Sequence, residues 1–156
     1  MYTMDYKLLI ILTFIVTALW DVVLRFMSLN YEKLPKYFQI DFVEYLKPYF
    51  QHHTLLAAAL IAGFVGATTQ PIILSVMSFP TNIFDMAYVF KFMIVTFIIS
   101  ALYGFIMKWS KLFPYLEKHY YDKLGVARSM YTDGFSGLIV QSTLLVLYSL
   151  FNLYAK

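Results

Sequence analysis

The sequence predicts an all-α membrane protein: four transmembrane helices arranged as two parallel two-helix repeats, with interfacial helices in the first and third loops. Three observations lead there. First, hydrophobic residues make up 61% of the 156-residue chain and charged residues only 13%, well under the ~25% of an ordinary soluble domain. One aqueous core of this size cannot hide that much apolar surface. Second, four apolar stretches, roughly 6–28, 54–79, 87–109 and 134–155, each supply the ~20 helical residues that cross a hydrocarbon core. Third, the chain repeats itself. TFIVTALWDVVLRFM at 13–27 is answered by TFIISALYGFIMKWS at 96–110, and GFVGATTQ at 63–70 by GFSGLIVQ at 134–141.

The repeat places Thr13, Phe14, Ile15, Ala18 and Leu19 opposite Thr96, Phe97, Ile98, Ala101 and Leu102. Residues 1–156 therefore read as a single integral membrane domain, with repeat one about 6–79 and repeat two about 87–155. Each unit crosses twice, so both units enter the bilayer in the same sense and a pseudo-two-fold axis along the membrane normal relates them. Helices rather than strands are required, because lipid leaves no partner for a free peptide group and no period-two alternation marks a barrel. The first span reads as a retained helix: its apolar run is longer than a leader's, and Asp21 and Arg25 end it where a cleavage site would stand.

The cations are asymmetric. Arg25, Lys33, Lys36, Lys47, Lys108, Lys111, Lys118, Lys123 and Arg128 fall on the side of the two long loops, against Lys7, Lys91 and Lys156 on the other. The positive-inside rule then places the long loops in the cytoplasm and both termini on the non-cytoplasmic side. In the first loop Phe38, Phe42, Tyr45, Leu46 and Tyr49 recur at helical spacing, which predicts an amphipathic helix over 36–50 lying in the interface plane, its last turn weakened by Pro48. Residues 114–124, opening on Pro114 and sharing a KL-initiated start with the first loop, predict a second such helix.

Small residues mark a helix-packing surface. Ala59, Gly63 and Ala67 are spaced four apart on span two, with Gly66 beside them, and Gly134 and Gly137 stand at the matching level of span four. Close backbone approach drives association where lipid removes the hydrophobic force, so spans two and four are expected against each other at the centre. Pro71 predicts a kink in span two, with Thr68 and Thr69 positioned to satisfy the carbonyls it frees.

Ionisable groups inside a membrane are costly and therefore informative. Asp21 lies within span one, and Asp133 aligns with Ala62 of span two. Arg25 and Arg128 lie at a similar level. Asp21 and Arg25 can pair along one helix face; Asp21 with Arg128, or Asp133 with Arg25, would instead tie the halves together. Gln70 and Gln141 are the polar pair nearest the midplane, either as hydrogen-bonded glue or as the lining of a narrow path.

Other chemistries lack their residues. The chain has no cysteine. His52, His53 and His119 come with no metal-binding spacing, and no nucleophile elbow, Walker loop or dinucleotide fingerprint occurs. No catalytic residue, metal or cofactor is expected. The fifteen Phe and fourteen Tyr lie in or beside the spans rather than along a basic stripe, which fits an aromatic belt and not nucleic-acid binding. In texture, GFVGATTQ, YYDKLG and MYTDGFSG resemble uncharacterised multi-span membrane proteins of large DNA viruses of algae and protists. That resemblance implies a virion's internal membrane or a host-cell membrane, and transfers no site residues.

The function expected first is structural: a multi-pass protein that packs in the lipid bilayer with copies of itself or with membrane-protein partners. The competing expectation is a small channel or transporter whose polar path is lined by Asp21, Asp133, Gln70 and Gln141.

Overall fold

The structure is a computed structural model that describes residues 5–110, 114, 118 and 122–154. Among these residues there are helices and turns and no strand. Four helices carry the fold: α1 (Tyr6–Leu29), α4 (Leu55–Val76), α5 (Met86–Ser110) and α6 (Val126–Tyr154). Each is long and apolar enough to cross a membrane. Between α1 and α4 run two 3-10 turns (Tyr31–Lys33 and Lys36–Phe38) and two short helices, α2 (Asp41–Tyr45) and α3 (Lys47–His52).

The helix starts are local and readable. The Asp5 side chain accepts from the Lys7 backbone N–H at 3.1 Å, and the Thr54 hydroxyl accepts from Ala57 N–H at 3.3 Å; each satisfies a donor that the first turn would otherwise leave free. Gly125, at φ +78°, occupies a left-handed conformation that favours glycine and turns the chain from a helical turn at Asp122–Leu124 into α6.

The bundle is organised within halves. α1 packs along α4, and α5 packs along α6; the halves meet chiefly through α1 against α6 and α4 against α5. The small residues explain the close pairs. A Cβ placed on Gly63 would lie 2.9 Å from the Phe14 ring, and one on Gly66 would lie 2.8 Å from Thr17 Cβ. In the second half a Cβ on Gly134 would lie 2.7 Å from the Phe97 ring, and one on Gly137 would lie 2.8 Å from Ser100 Cβ. The four matched positions of each half thus make the same two contacts.

This corrects the expected seam. Gly63, Gly66, Gly134 and Gly137 do pack helices, but each pair seats the first helix of its own half. They do not bring α4 against α6. The physical reason is the bulk on the partner: the matched Phe14 and Phe97 rings need a site without a side chain, which only the glycines provide. Ala59 and Ala67 are half-buried on α4.

Two further expectations are corrected. Residues 36–50 do not form one interfacial helix. The chain is a 3-10 turn over 36–38, then α2, then a break at Leu46, then α3 with Pro48 in its first turn. Proline lacks the N–H and clashes with the preceding turn, so the helix restarts around it. Nor does the apolar face lie free: Phe42, Leu46, Tyr49 and Phe50 are buried in a cluster with Leu24 and Ala58. Phe42 stacks on Phe135 of α6, ring centroids 6.1 Å apart. The segment is a cap on the bundle. The helix expected over 114–124 lies largely outside the described residues.

At Pro71, α4 continues as one helix. The flanking hydroxyls do not reach the Ala67 carbonyl that the proline leaves without its donor. Thr68 Oγ1 bonds Phe64 O (2.9 Å) and Val65 O (3.1 Å), and Thr69 Oγ1 bonds Val65 O (2.7 Å). A threonine hydroxyl reaches back to the turn before its own residue, so these two serve carbonyls earlier than Ala67.

Candidate functional site: a polar cavity between the halves

A cavity of about 120 Å³ lies inside the bundle, walled by all four long helices and by Leu46 and Tyr49 of the cap. α1 contributes Thr13, Thr17, Trp20, Asp21 and Leu24. α4 contributes Ile61, Ala62, Val65, Gly66, Thr69, Gln70 and Ile73. Ser100 and Tyr103 come from α5, and Thr132, Asp133, Ser136, Gly137, Val140 and Gln141 from α6. Direction is set by the helices. Past Gln70 and Gln141, toward the side of both termini, the interior is filled by an apolar cluster that includes Ile73, Phe79, Phe92, Leu144 and Tyr148. The cavity lies on the other side of that plug, toward the cap.

Its floor is the glutamine pair. Gln141 Nε2 donates to Gln70 Oε1, joining α6 to α4 across the centre. Both side chains are buried. The bond uses one donor and one acceptor, and Gln70 Nε2 and Gln141 Oε1 find no protein partner. Trp20 Nε1, Asp21 Oδ2 and Thr132 Oγ1, also on cavity residues, are buried without a hydrogen-bond partner as well. Such atoms cost about 1–3 kcal/mol each when nothing answers them. Five of them sit on residues of the cavity wall, buried from the open space itself.

The acids converge on that space. Asp21 and Asp133 both line the cavity, as does Ala62, the repeat's counterpart of Asp133. No salt bridge joins Asp21 to Arg25, although they are one turn apart. Arg25 Nη1 instead donates to Phe50 O (2.8 Å) and His53 O (2.6 Å) at the end of α3. Those carbonyls end a helix, lack intrahelical donors, and sit at its negative pole. Arg128 lies over the Tyr45 ring, 4.4 Å from its centroid, a cation–π contact with the cap. Both arginines therefore secure the cap, and neither lines the cavity.

Sequence reasoning singled out Asp21, Asp133, Gln70 and Gln141, and all four line one cavity. It missed Trp20, Thr132 and Tyr103. Tyr103 is the repeat counterpart of Trp20, and its hydroxyl meets Thr68 Oγ1 at 2.6 Å, crossing from α5 to α4. The signal available was the aromatic pair at equivalent positions beside Asp21. Thr132 carried no signal beyond its place before Asp133.

The glutamine bridge yields a clear expectation. Gln70→Leu or Gln141→Leu alone strands the surviving amide in an apolar floor and should lower stability by about 1–3 kcal/mol. The double leucine variant should recover most of that loss, because no polar group is left unpaired. Unfolding in mixed micelles of all four forms gives the coupling, expected at about 2 kcal/mol or more because the double loses less than either single; additive losses would show that the two amides do not interact.

No protein-family model matches this chain, and no curated protein or solved structure matches it either. The class rests on the fold: four apolar helices compatible with a multi-pass membrane protein, here enclosing a polar cavity.

Proposed function

We propose that this protein is a small membrane carrier: a pseudo-symmetric bundle that holds a small polar solute between its two halves and passes it across the bilayer. One observation carries the reading. Asp21, Asp133, Gln70 and Gln141, from three helices, line one cavity at the bundle's centre, where a scaffold would be filled with packed apolar side chains. Polar groups at membrane depth are expensive and are kept where they serve a path. The structural role expected first from the sequence gives no reason for Asp21, Asp133 and the glutamines to share one cavity.

The cavity ends at the Gln70–Gln141 bridge and the apolar plug behind it, which favours a carrier with a gate over an open pore. Matched pairs of helices, each locked by its own glycines, are units that can rock against each other about the cavity. Four crossings leave both termini on one side, and the excess of Lys and Arg in the capped loops argues for those loops facing the cytoplasm.

The test is flux. Proteoliposomes shocked with urea, ethylene glycol, methylammonium chloride or sodium acetate should recover volume faster than protein-free vesicles for at least one solute. The recovery should fall in the Gln70→Leu/Gln141→Leu form, which keeps the fold but removes the polar floor. Recovery no faster than empty vesicles for every solute would end the carrier reading and return the protein to a structural or assembly role.

A further inference from the structure

Beyond the carrier reading, and independently of it, we infer that residues 33–38, between α1 and α2, form a membrane-surface anchor. Tyr37 and Phe38 enter the lipid headgroup layer on the capped side of the bundle, and Lys33 and Lys36 engage lipid phosphates there.

The end of α1 sets the level. This helix has 24 residues, about 36 Å of length, against a hydrocarbon core of about 30 Å. Its outward face is apolar throughout: Leu8, Ile11, Ile15, Leu19, Val23 and Phe26 are all exposed. The helix stops at Leu29, and the 3-10 turns Tyr31–Lys33 and Lys36–Phe38 follow at once. They therefore leave the span where acyl chains give way to headgroups.

The side chains of this segment suit that layer. Elsewhere the cap hides its apolar groups, and Phe42, Val43, Leu46, Tyr49 and Phe50 are buried. Tyr37 is 78% exposed and Phe38 49%, with their ring centroids 5.0 Å apart, and Ile40 is exposed beside them. Amphipathic rings are at their preferred depth in the membrane interface. Lys33 and Lys36 are exposed too, and among the described residues neither holds an ion pair. The neighbouring Glu32 is taken by Lys47 at 3.4 Å. Free ammonium groups beside uncovered rings match a lipid surface, phosphate outside and acyl chain within. A soluble protein partner fits less well, because the patch is small and adjoins the apolar stripe of α1.

The segment is also held in shape before it meets lipid. Gln39 Nε2 donates to Leu34 O at 2.9 Å, and the Glu32–Lys47 pair ties the segment to α3. Little further ordering is needed on insertion.

A single-site probe tests the anchor. The chain has no cysteine, so Tyr37→Cys gives the full-length protein one thiol for an environment-sensitive fluorophore. Tyr37 is exposed, so the label does not disturb the core. Glu44→Cys, exposed on α2, is the reference, since a carboxylate position gains nothing among phosphates. The labelled protein is placed, without any partner, in vesicles of phosphatidylcholine and phosphatidylglycerol. The probe at 37 should emit to the blue of the probe at 44, be quenched by nitroxide carried on lipid headgroups, and be shielded from aqueous iodide. Lys33→Glu with Lys36→Glu should move the lipid-to-water balance of the 37 probe toward water by about tenfold or more, the effect of two lysines at an anionic surface. Equal emission and equal iodide access at 37 and 44 would overturn the anchor and leave the patch to a protein partner. An unchanged 37 probe in the double-lysine variant would overturn the phosphate contact. Neither result touches solute flux, so the carrier reading stands or falls separately.

Discussion

Alanine at Gly66 or Gly137 is expected to destabilise the bundle by about 1–3 kcal/mol, the usual cost of forcing a methyl into a filled contact. The sign is informative. Alanine is a better helix former than glycine by ~1 kcal/mol, so a helix with open space there would gain stability. Here the new Cβ meets Thr17 Cβ or Ser100 Cβ at 2.8 Å, an atom held rigidly by its own backbone. The helices of one half must separate. Because each pair belongs to a different half, the double variant should lose about the sum of the two. Gly63→Ala and Gly134→Ala should be milder: they meet the far edges of the Phe14 and Phe97 rings, which can swing. Phe14→Leu should recover part of the loss in Gly63→Ala. Unfolding in mixed micelles measures all of these. A stabilised Gly66→Ala would mean that α1 and α4 do not touch there.

Arg25→Met should have the other large effect, a loss of about 2–4 kcal/mol concentrated on the cap. Its Nη1 supplies both the Phe50 and the His53 carbonyl at 2.8 and 2.6 Å, and charge-assisted bonds are worth about 1.5–3 kcal/mol each before screening. Met keeps the aliphatic bulk on α1 and strands two carbonyls. The expected signature is local. Amides of residues 41–53 should exchange faster and become sites of proteolytic nicking, while α5 and α6 stay protected. Arg25→Lys should retain part of the effect, since one ammonium can still reach both oxygens. Uniform loosening of the whole bundle would assign Arg25 to the core rather than to the cap. Tyr49, on α3, also walls the cavity, so a freed cap should raise flux and blur solute selection in the vesicle assay.

The spans were legible because bilayer thickness converts apolar length directly into crossings, and the observed limits fall near those read from the sequence. α6 starts earlier than expected, at Val126 rather than near 134. The alignment of Asp133 with Ala62 already pointed that way. The cap was not legible as a cap. Phe42 and Tyr49 have the same spacing whether they face lipid or protein, and only the packed partner tells the two apart. The cavity residues were half legible. A carboxylate or amide at membrane depth stands out in sequence, whereas Trp20 and Thr132 look like any belt aromatic or helix hydroxyl.

The sequence by itself determined four apolar helices, the doubled sequence pattern and the identity of the acids and amides at membrane depth, because each of these follows from composition and spacing along one chain. Only the tertiary structure decided that the glycines seat α1 and α5 within their halves, that the arginines hold a cap, and that the acids line a hollow. Those outcomes depend on which side chains meet across helices, and the small bulk of glycine or the reach of arginine acquires its meaning only from the partner opposite.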